Sequence, residues 1–297
     1  QFYKVRAKPT ILITGATGQV GNEFRFLSFT FREAAFIFVS REALDITNRK
    51  KVFNFFNAHS IQYVVNCAAY TAVDKAETES RTARAVNARG AKNIAEAAQL
   101  HGAFLIHIST DYVYHSSKNL PLLETDIPSP KGVYAKTKLQ GDKAVLKFCT
   151  NAMVLRTSWV YGSFGHNFVK TMIRLGTERP EISVVFDQIG TPTYARDIAR
   201  TILQIIQKIE SKEVSLETAR GIFHFSNEGV TSWFDFAHAI FKIKNLKCRV
   251  SAIRSEAFPT PAKRPPFSVL DKSKIKSVFG IKISHWENSL REYLESV

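Results

Sequence analysis

The 297-residue chain is predicted to form an α/β fold with a doubly wound parallel sheet. One observation is that short apolar runs typical of buried strands alternate with helical segments of roughly 10–20 residues along the first half. The other is the segment Thr10–Gly21, TILITGATGQVG, in which an apolar run enters a glycine-rich turn that opens a helix. A strand, a glycine turn and a helix in this order are typical of the first unit of such sheets.

The glycine turn contains Gly15, Gly18 and Gly21, and the helix begins with Gln19 and Val20. Free backbone N–H groups and the positive end of the helix dipole favour an anion at such a helix start. We therefore predict a pyrophosphate-binding turn. The alternative is a tight structural turn that binds no ligand. The strand before the turn and the helix after it disfavour this alternative.

The remaining elements follow in order along the chain. Further strands are predicted at Phe36–Ser40, Tyr63–Cys67, Phe104–Ser109 and Phe223–Ser226. Helices are predicted from Asp45 to about His59, up to about His101, from Tyr134 to about Phe148, around Ala195–Ile209, from Thr231 or Ser232, and at Asp271–Phe279 and Trp286–Leu294. Residues 1–155, rejoined by about 193–226, are predicted to form a Rossmann domain. Residues from about 156 to 192 and 227 to 297 are predicted to form a smaller mixed α/β substrate-binding domain.

Ser40 and Arg41 stand at the end of the second predicted strand, where a dinucleotide fold meets the adenosine ribose. A hydroxyl and a guanidinium suit a 2′-phosphate, whereas an acid there would suit the 2′-hydroxyl of NAD. This favours NADPH over NADH, although the neighbouring Glu42 weakens the argument and NADH use stays open. Asp45, with Ile46 beside it, either caps the next helix or lies near the adenine.

Tyr134 and Lys138 are four residues apart on one predicted helix, so they lie on the same side of it. A nearby ammonium is expected to lower the pKa of a phenol, which is ordinarily close to 10. Such a phenol can give a proton to a carbonyl oxygen. Thr110, at the end of the fourth predicted strand, can hold the same oxygen. A surface pair on an amphipathic helix is the alternative for Tyr134 and Lys138 taken alone.

Composition narrows the function classes. The formal net charge of +15 is spread along the chain and has no long basic run, so nucleic acid is not expected as a partner. No apolar stretch has the length of a membrane helix, and the N-terminal residues lack the apolar core of a secretory leader. Three widely spaced cysteines suit a reducing cytoplasm, and the eight histidines lack metal-ligand spacing, so no metal site is predicted.

The glycine turn, the hydroxyl at the strand end and the Tyr/Lys pair, in this order, resemble the extended short-chain dehydrogenase/reductase family. The matching motifs are GATGQVG (15–21), NCAAYTAVDKAE (66–77), STDYVY (109–114), YAKTKLQGDKAV (134–145), RTSWVYG (156–162), NFVKTMIRL (167–175), DQIGTPTYARDIA (187–199) and TPAKRPPFSVLDKSKI (260–275). The chain departs from the family pattern at His115–Ser117, where the family usually has a glycine. Arg196 also disfavours the carboxylate-held metal ions through which some members are thought to dimerise.

The resemblance implies NADPH-dependent reduction of the 4-keto group of dTDP-4-dehydro-β-L-rhamnose to dTDP-L-rhamnose by a monomer or weak homodimer. It implies that Tyr134 is the proton donor, that Lys138 lowers the pKa of Tyr134 and holds the nicotinamide ribose, and that Thr110 binds the keto oxygen. It further assigns residues to the cofactor (Ala68, Ala69, Tyr70) and to the sugar nucleotide (Val73, Asp74, Trp159, Asn167, Arg264). A nucleotide-sugar epimerase or dehydratase, and a non-catalytic subunit similar to the regulatory subunit of methionine adenosyltransferase, remain alternatives.

Overall fold

A six-stranded parallel sheet forms the centre of the protein, whose computed structural model describes residues 8–116 and 118–297. The strands of this sheet and of three smaller, two-stranded sheets are, in chain order, β1 Thr10–Thr14, β2 Ala35–Val39, β3 Tyr63–Asn66, β4 Phe104–Thr110, β5 Ala152–Thr157, β6 Val160–Tyr161, β7 Glu181–Val185, β8 Ile189–Gly190, β9 Thr193–Tyr194, β10 Gly221–His224, β11 Thr231–Ser232 and β12 Arg249–Ile253. Most of the N-terminal segment considered for a leader, and Ser117 of the divergent loop, lie outside the described residues.

The helices lie between these strands as the alternating pattern predicts. They are α1 Gln19–Ser28, α2 Arg49–Ala58, α3 Ser80–Arg84, α4 Ala91–Leu100, α5 Gly132–Phe148, α6 Phe168–Glu178, α7 Ala195–Glu210, α8 Trp233–Ile243, α9 Ser273–Phe279 and α10 Trp286–Glu295. Short 3₁₀ turns occur at Lys75–Glu77, Asp111–Val113 and Ser255–Ala257.

The strand order in the main sheet is β10-β5-β4-β3-β1-β2, and every neighbouring pair is parallel. The predicted doubly wound sheet is therefore confirmed. The chain runs outward from β1 to β2, then returns past β1 to β3 and continues away on the other side. Ligands bind in such sheets at this switch point, outside the carboxyl ends of the strands.

Both faces of the sheet are buried, which explains the continuous apolar runs of its strands. On β1 the side chains of Ile11 and Ile13 enter one core, which α1 and α7 cover. Leu12 enters the opposite core, which the second helical layer covers with Val52 and Ile94. Alternate residues of one strand thus fix the helices on both sides, and the carboxyl edge of the sheet stays open for a site.

Two predicted helical features differ in the structure. The helix expected from Asp45 begins at Arg49 instead, because Asn48 caps it by accepting a hydrogen bond from the Lys51 N–H, and Asp45 forms a separate turn with Thr47. The helix leading to His101 contains a wide π turn over Ala85–Gly90. That extra residue in the turn rotates the buried face, so Asn87 is buried while Ala85 and Ala88 are half-buried.

The second half of the chain adds a smaller layer beside the sheet. Parallel strands β7 and β12 pack with α6, α8 and α10 around an aromatic core that includes Tyr161, Phe236 and Trp286. Ser232 caps α8 by accepting from the Asp235 N–H at 3.0 Å, as predicted. Among the described residues, none of the helices combines the length and the apolar character needed to cross a membrane.

Candidate active site

A cavity of about 370 Å³ lies at the carboxyl edge of the sheet, where the strand order reverses. It brings together residues predicted from distant parts of the sequence: Gly18, Gln19, Val20, Gly21, Ala69, Val73, Thr110, Tyr134, Lys138 and Trp159. The cavity therefore joins the glycine turn, the Tyr/Lys pair and one side of the smaller layer into a single site.

The glycine turn has the geometry that an anion site requires. Gly18 is the N-cap residue of α1 and supplies no side-chain cap, so the first N–H groups of the helix remain available. Gly15 has φ +62°, and a Cβ there would lie 2.7 Å from the Ala68 backbone. A Cβ on Gly21 would lie 2.4 Å from the Gly15 carbonyl oxygen. Only glycine lets the turn, the helix and the loop after β3 pack this closely.

Tyr134 and Lys138 occupy neighbouring turns of α5 and both line the cavity. The Lys138 ammonium donates to the Ile108 carbonyl at 2.7 Å, which anchors it at the end of β4. Thr110, the last residue of β4, accepts from the Tyr112 N–H at 3.2 Å and donates to Asp111 at 3.1 Å. The helix and the strand end thus hold the three predicted catalytic groups at one wall.

The expected lowering of the Tyr134 pKa by Lys138 is wrong for this structure. Burial raises the pKa of the phenol to about 12, the nearby Thr110 hydroxyl opposes the rise, and the Asp111 carboxylate adds to it. Burial also lowers the pKa of Lys138 to about 8. The loss of solvation therefore dominates the Tyr134 pKa, and Tyr134 carries its proton at neutral pH.

The four residues predicted near the adenosine lie beside the cavity rather than in its wall. Ser40 and Arg41 follow β2, and Arg41 is exposed. Asp45 accepts from the N–H and the hydroxyl of Thr47, so it neither caps α2 nor points freely to a ligand. The Ile46 side chain is buried in the core against α4. The end of β2 is next to the glycine turn, because the Ala16 N–H donates to the Val39 carbonyl.

The loop Ala68–Tyr70 is fixed by a residue that sequence analysis missed. The Asn87 side chain accepts from the Tyr70 N–H at 2.8 Å and donates to the Tyr70 carbonyl at 3.1 Å. Its amide also donates to the Thr137 hydroxyl on α5 at 3.1 Å. One amide therefore holds the loop at a set distance from the Tyr/Lys helix. The signal was an asparagine among the alanines of a buried helix face.

On the side of the smaller layer, two indoles form the wall. Trp159 stacks on Trp233 with ring centroids 3.5 Å apart and an angle of 7° between the rings. Trp159 has φ +46°, a left-handed conformation that is strained for a large side chain. Asn167 does not reach the wall. It caps α6 and donates to the Gln19 side-chain oxygen at 3.1 Å, so it joins α6 to the start of α1.

Asp74 and Arg264, both predicted to face the sugar nucleotide, pair with each other at the rim. The guanidinium donates to the two carboxylate oxygens at 2.8 and 3.2 Å, and Asp74 also accepts from the Ala262 N–H at 3.1 Å. This pairing holds the pKa of Asp74 below its usual value. The loop after β3 is thereby tied to the proline-rich loop that contains Arg264.

Asp111, Tyr112 and Trp233 also line the cavity but were not predicted to do so. Asp111 is buried, and burial raises the pKa of its carboxyl to about 7. The Tyr112 ring lies edge-on to Tyr134 with centroids 5.5 Å apart. The position of Asp111 and Tyr112 directly after Thr110 was the available signal. Nothing in the local sequence around Trp233 indicates its stacking partner.

The chain was compared with known families, sequences and structures. The family described as "RmlD substrate binding domain" matches residues 9–297. The chain belongs to this family. The predicted resemblance is confirmed at the level of this family, which spans nearly the whole chain.

Two relatives illustrate the similarity within the RmlD family. The dTDP-4-dehydrorhamnose reductase of Aggregatibacter actinomycetemcomitans is 42% identical over 288 residues, which cover 95% of this chain and 97% of that protein. The crystal structure of the dTDP-4-dehydrorhamnose reductase of Bacillus anthracis in complex with NADP is similar at a TM-score of 0.92 and 37% identity, covering 98% of this chain and all of the other. A UDP-glucose 4-epimerase of Thermus thermophilus, 18% identical with a TM-score of 0.80, shares the fold.

Proposed function

We propose that this protein reduces the 4-keto group of dTDP-4-dehydro-β-L-rhamnose to give dTDP-L-rhamnose, with NADPH as reductant. The observation that carries the proposal is the meeting of the glycine turn with Thr110, Tyr134 and Lys138 around one cavity. Its membership of the RmlD family, with relatives named dTDP-4-dehydrorhamnose reductase, supports the choice of substrate.

The residues present fit a dinucleotide. The uncapped N-terminus of α1 and the close approach at Gly15 leave a surface of backbone N–H groups for a pyrophosphate. Gly18, Gln19, Val20 and Gly21 would hold it, Ser40 and Arg41 would take the 2′-phosphate, and Ala68, Ala69 and Tyr70 would line the cofactor beside Asp45 and Ile46. When bound, NADPH supplies the hydride. The relative solved with NADP supports this cofactor, and NADH is proposed as a weaker substitute.

The protein's own groups supply the proton and the orientation. Tyr134 keeps its proton until negative charge develops on the keto oxygen, because its raised pKa favours the neutral phenol. The oxygen then becomes more basic than the phenolate, and the proton moves to it. The Thr110 hydroxyl, which donates to Asp111 in this structure, would turn to donate to the same oxygen, and the Lys138 ammonium would stabilise the phenolate left behind.

The sugar nucleotide is proposed to bind between the Tyr134 wall and the stacked indoles. Val73, Trp159 and the additional residue Trp233 offer apolar surface for a deoxysugar. Arg264 carries a fork of donors that suits a diphosphate, and Asp74 holds that fork in place. Asn167 is proposed to act indirectly, by fixing Gln19 and the start of α6.

We also propose that residues 1–155, rejoined by about 193–226, form a Rossmann domain, and that residues from about 156 to 192 and 227 to 297 form the substrate-binding domain. The proposed location is cytoplasmic, and the proposed state is a monomer or weak homodimer. The entry of β10 into the main sheet beside β5 supports the rejoining of the first domain. Three free cysteines support a reducing compartment. Arg196, whose Nε donates to buried Glu23 at 2.8 Å, puts a cation where a metal-held dimer would need ligands.

Replacement of Tyr134 by phenylalanine tests the mechanism. Tyr134→Phe is expected to lower turnover by about 10²–10⁴-fold, the usual contribution of a general acid, with little change in NADPH affinity. The loss of reduced-nicotinamide absorbance in the presence of dTDP-4-dehydro-β-L-rhamnose measures turnover. Tyr161→Phe is the matched control, because the Tyr161 hydroxyl is buried, does not line the cavity and has no hydrogen-bond partner among the residues that the structure describes.

The same assay separates the alternatives. A reductase consumes one NADPH for each product molecule, whereas an epimerase or dehydratase recycles its cofactor. Undiminished turnover in Tyr134→Phe would refute the proton donor. A wild-type protein that binds NADPH but never consumes it, with any keto sugar nucleotide, would favour a non-catalytic subunit.

A further inference from the structure

A row of buried polar side chains crosses the sheet behind the cavity. Thr14 on β1 donates through its hydroxyl to the Asn66 side-chain oxygen on β3 at 2.6 Å. The Asn66 amide donates to His107 Nδ1 on β4 at 2.9 Å. All three residues are buried. Burying a polar group costs free energy unless it is hydrogen-bonded, and Thr14, Asn66 and His107 meet this need through one another.

The row ends at Asp142, which extends from α5 onto the same region of the sheet. Asp142 Oδ2 accepts from Arg156 Nε on β5 at 3.1 Å. Within the described part of the chain, Asp142 Oδ1 makes no hydrogen bond of normal geometry and lies 3.9 Å from His107 Nε2. The side chain is 1% exposed. Burial raises the pKa of Asp142, and the charges of Arg156 and Lys138 together with the Ser109 hydroxyl oppose this rise.

Lys138 is one helical turn before Asp142 on the same side of α5. Both residues are buried. These two described residues make no direct ion pair, since the Lys138 ammonium donates to the Ile108 carbonyl at 2.7 Å instead. In an interior of low dielectric, the Asp142 carboxylate and the Lys138 ammonium attract each other without direct contact. Burial lowers the pKa of Lys138, and Asp142 is the first of the groups that oppose this change.

We infer that Asp142 is the counter-charge that keeps the Lys138 ammonium protonated at the cavity wall, and so acts as a positioning residue for the Tyr134 proton transfer. The inference deepens the proposed function and rests on it for its consequence in turnover. Arg156 binds Asp142 on the side away from the cavity. The negative charge of Asp142 also stabilises the Lys138 ammonium. A purely structural Asp142–Arg156 pair is the competing explanation.

The other ionisable groups around Lys138 cannot replace Asp142. Burial raises the pKa of the Cys67 thiol, after β3, to about 12, and it lowers the pKa of His107, on β4, well below its usual value. Both groups are therefore neutral near pH 7, as is the Tyr134 phenol on α5. Arg156 is a cation and disfavours a second positive charge. Asp111 lines the same cavity, but burial raises the pKa of its carboxyl to about 7, and the Lys138 pKa responds to Asp142 instead. Asp142 is therefore the anion to which we assign the charge of Lys138.

The decisive experiment measures the Lys138 pKa directly in the full-length protein. The 13Cε resonance of Lys138 is titrated by NMR in protein labelled at the lysine Cε, and Lys138→Met identifies the signal. In Asp142→Asn the pKa is expected to fall by about one pH unit or more, because the neutral amide no longer opposes desolvation. Asp142→Glu retains the charge and is expected to restore the wild-type value to within a few tenths of a pH unit.

Glu23→Gln is the matched control for lost stability. Glu23 is also a fully buried carboxylate; one oxygen accepts from Arg196, and the other has no hydrogen-bond partner in the described ranges 8–116 and 118–297. Glu23→Gln is expected to lower the unfolding midpoint as Asp142→Asn does, while the Lys138 titration stays unchanged. A folded Asp142→Asn protein with an unchanged Lys138 pKa would overturn the inference in favour of the structural pair.

Kinetics supply the second readout. Lys138 is charged below its pKa, so a lower pKa moves the alkaline limb of kcat/KM to lower pH. Asp142→Asn is expected to move this limb by the same interval as the NMR titration, and Asp142→Glu to move it back. A shifted titration with an unshifted limb would overturn the link to proton transfer. Absence of turnover in the wild type would instead refute the proposed function, and the NMR result would still decide the role of Asp142.

Discussion

At the scale of single residues, the site depends on how closely backbone segments approach one another. Gly15 combines a positive φ of +62° with a neighbour, Ala68, whose backbone would lie 2.7 Å from any Cβ. Gly102 has nearly the same backbone conformation, φ +67°, but no atom of the described residues lies within 4 Å of the position a Cβ would take. The two glycines therefore separate the cost of backbone strain from the cost of steric overlap.

Gly102→Ala is expected to lower the free energy of unfolding by about 1 kcal/mol, the usual cost of a left-handed backbone for alanine. Gly15→Ala is expected to lower it by about 2–4 kcal/mol, because overpacking against Ala68 adds to the strain. Only Gly15→Ala should weaken NADPH binding. Urea unfolding and NADPH titration measure the two effects. Equal losses of stability and an unchanged NADPH affinity in both variants would contradict this account.

At the scale of elements, local spacing made the Tyr134/Lys138 pair and the glycine turn predictable, because each motif lies within one helix or one turn. The stack of Trp159 on Trp233 was not predictable, since its two partners meet only in the folded chain. The π turn before α4 has no clear sequence signal, and it moved Asn87 into the position that holds the cofactor loop. Contacts that join separate elements were therefore the part that sequence analysis missed.

The tie between two loops through Asp74 and Arg264 leads to a prediction about substrate binding. Arg264→Gln is expected to lower kcat/KM for the sugar nucleotide by about tenfold or more, because the charged contact proposed between the diphosphate and the Arg264 donors not used on Asp74 is lost. NADPH affinity should not change. Steady-state kinetics and NADPH titration distinguish the two ligands.

Arg200→Gln is the control for this prediction. Arg200 makes a similar two-point ion pair, with Glu292, at a remote surface. An exposed pair contributes little, so its loss should leave kcat/KM unchanged. If both variants behave alike, Arg264 has no contact with the substrate.

At the scale of the whole molecule, the parallel sheet was predictable because its buried strands and intervening helices alternate so regularly. The reversal of strand order beside β1 places the glycine turn between the proposed adenosine end of the site, after β2, and the proposed catalytic wall, after β4. The order of the strands itself was not predicted, since it depends on pairing between segments far apart in the chain. Because the two ends of the site lie after different strands, ligand binding at each end can be tested separately.

The adenosine end is tested by comparing NADPH with NADH. Either cofactor stabilises the folded chain according to its concentration relative to its Kd, so a higher unfolding temperature measures binding. The wild type is expected to show a larger shift with NADPH, because Arg41 offers a charged partner to the 2′-phosphate. Arg41→Ala should reduce the preference for NADPH by about tenfold or more and leave NADH binding unchanged.

Arg32→Ala is the control, because Arg32 is an exposed arginine before β2 and lies at the opposite edge of the sheet. An undiminished preference in Arg41→Ala would show that another group binds the 2′-phosphate.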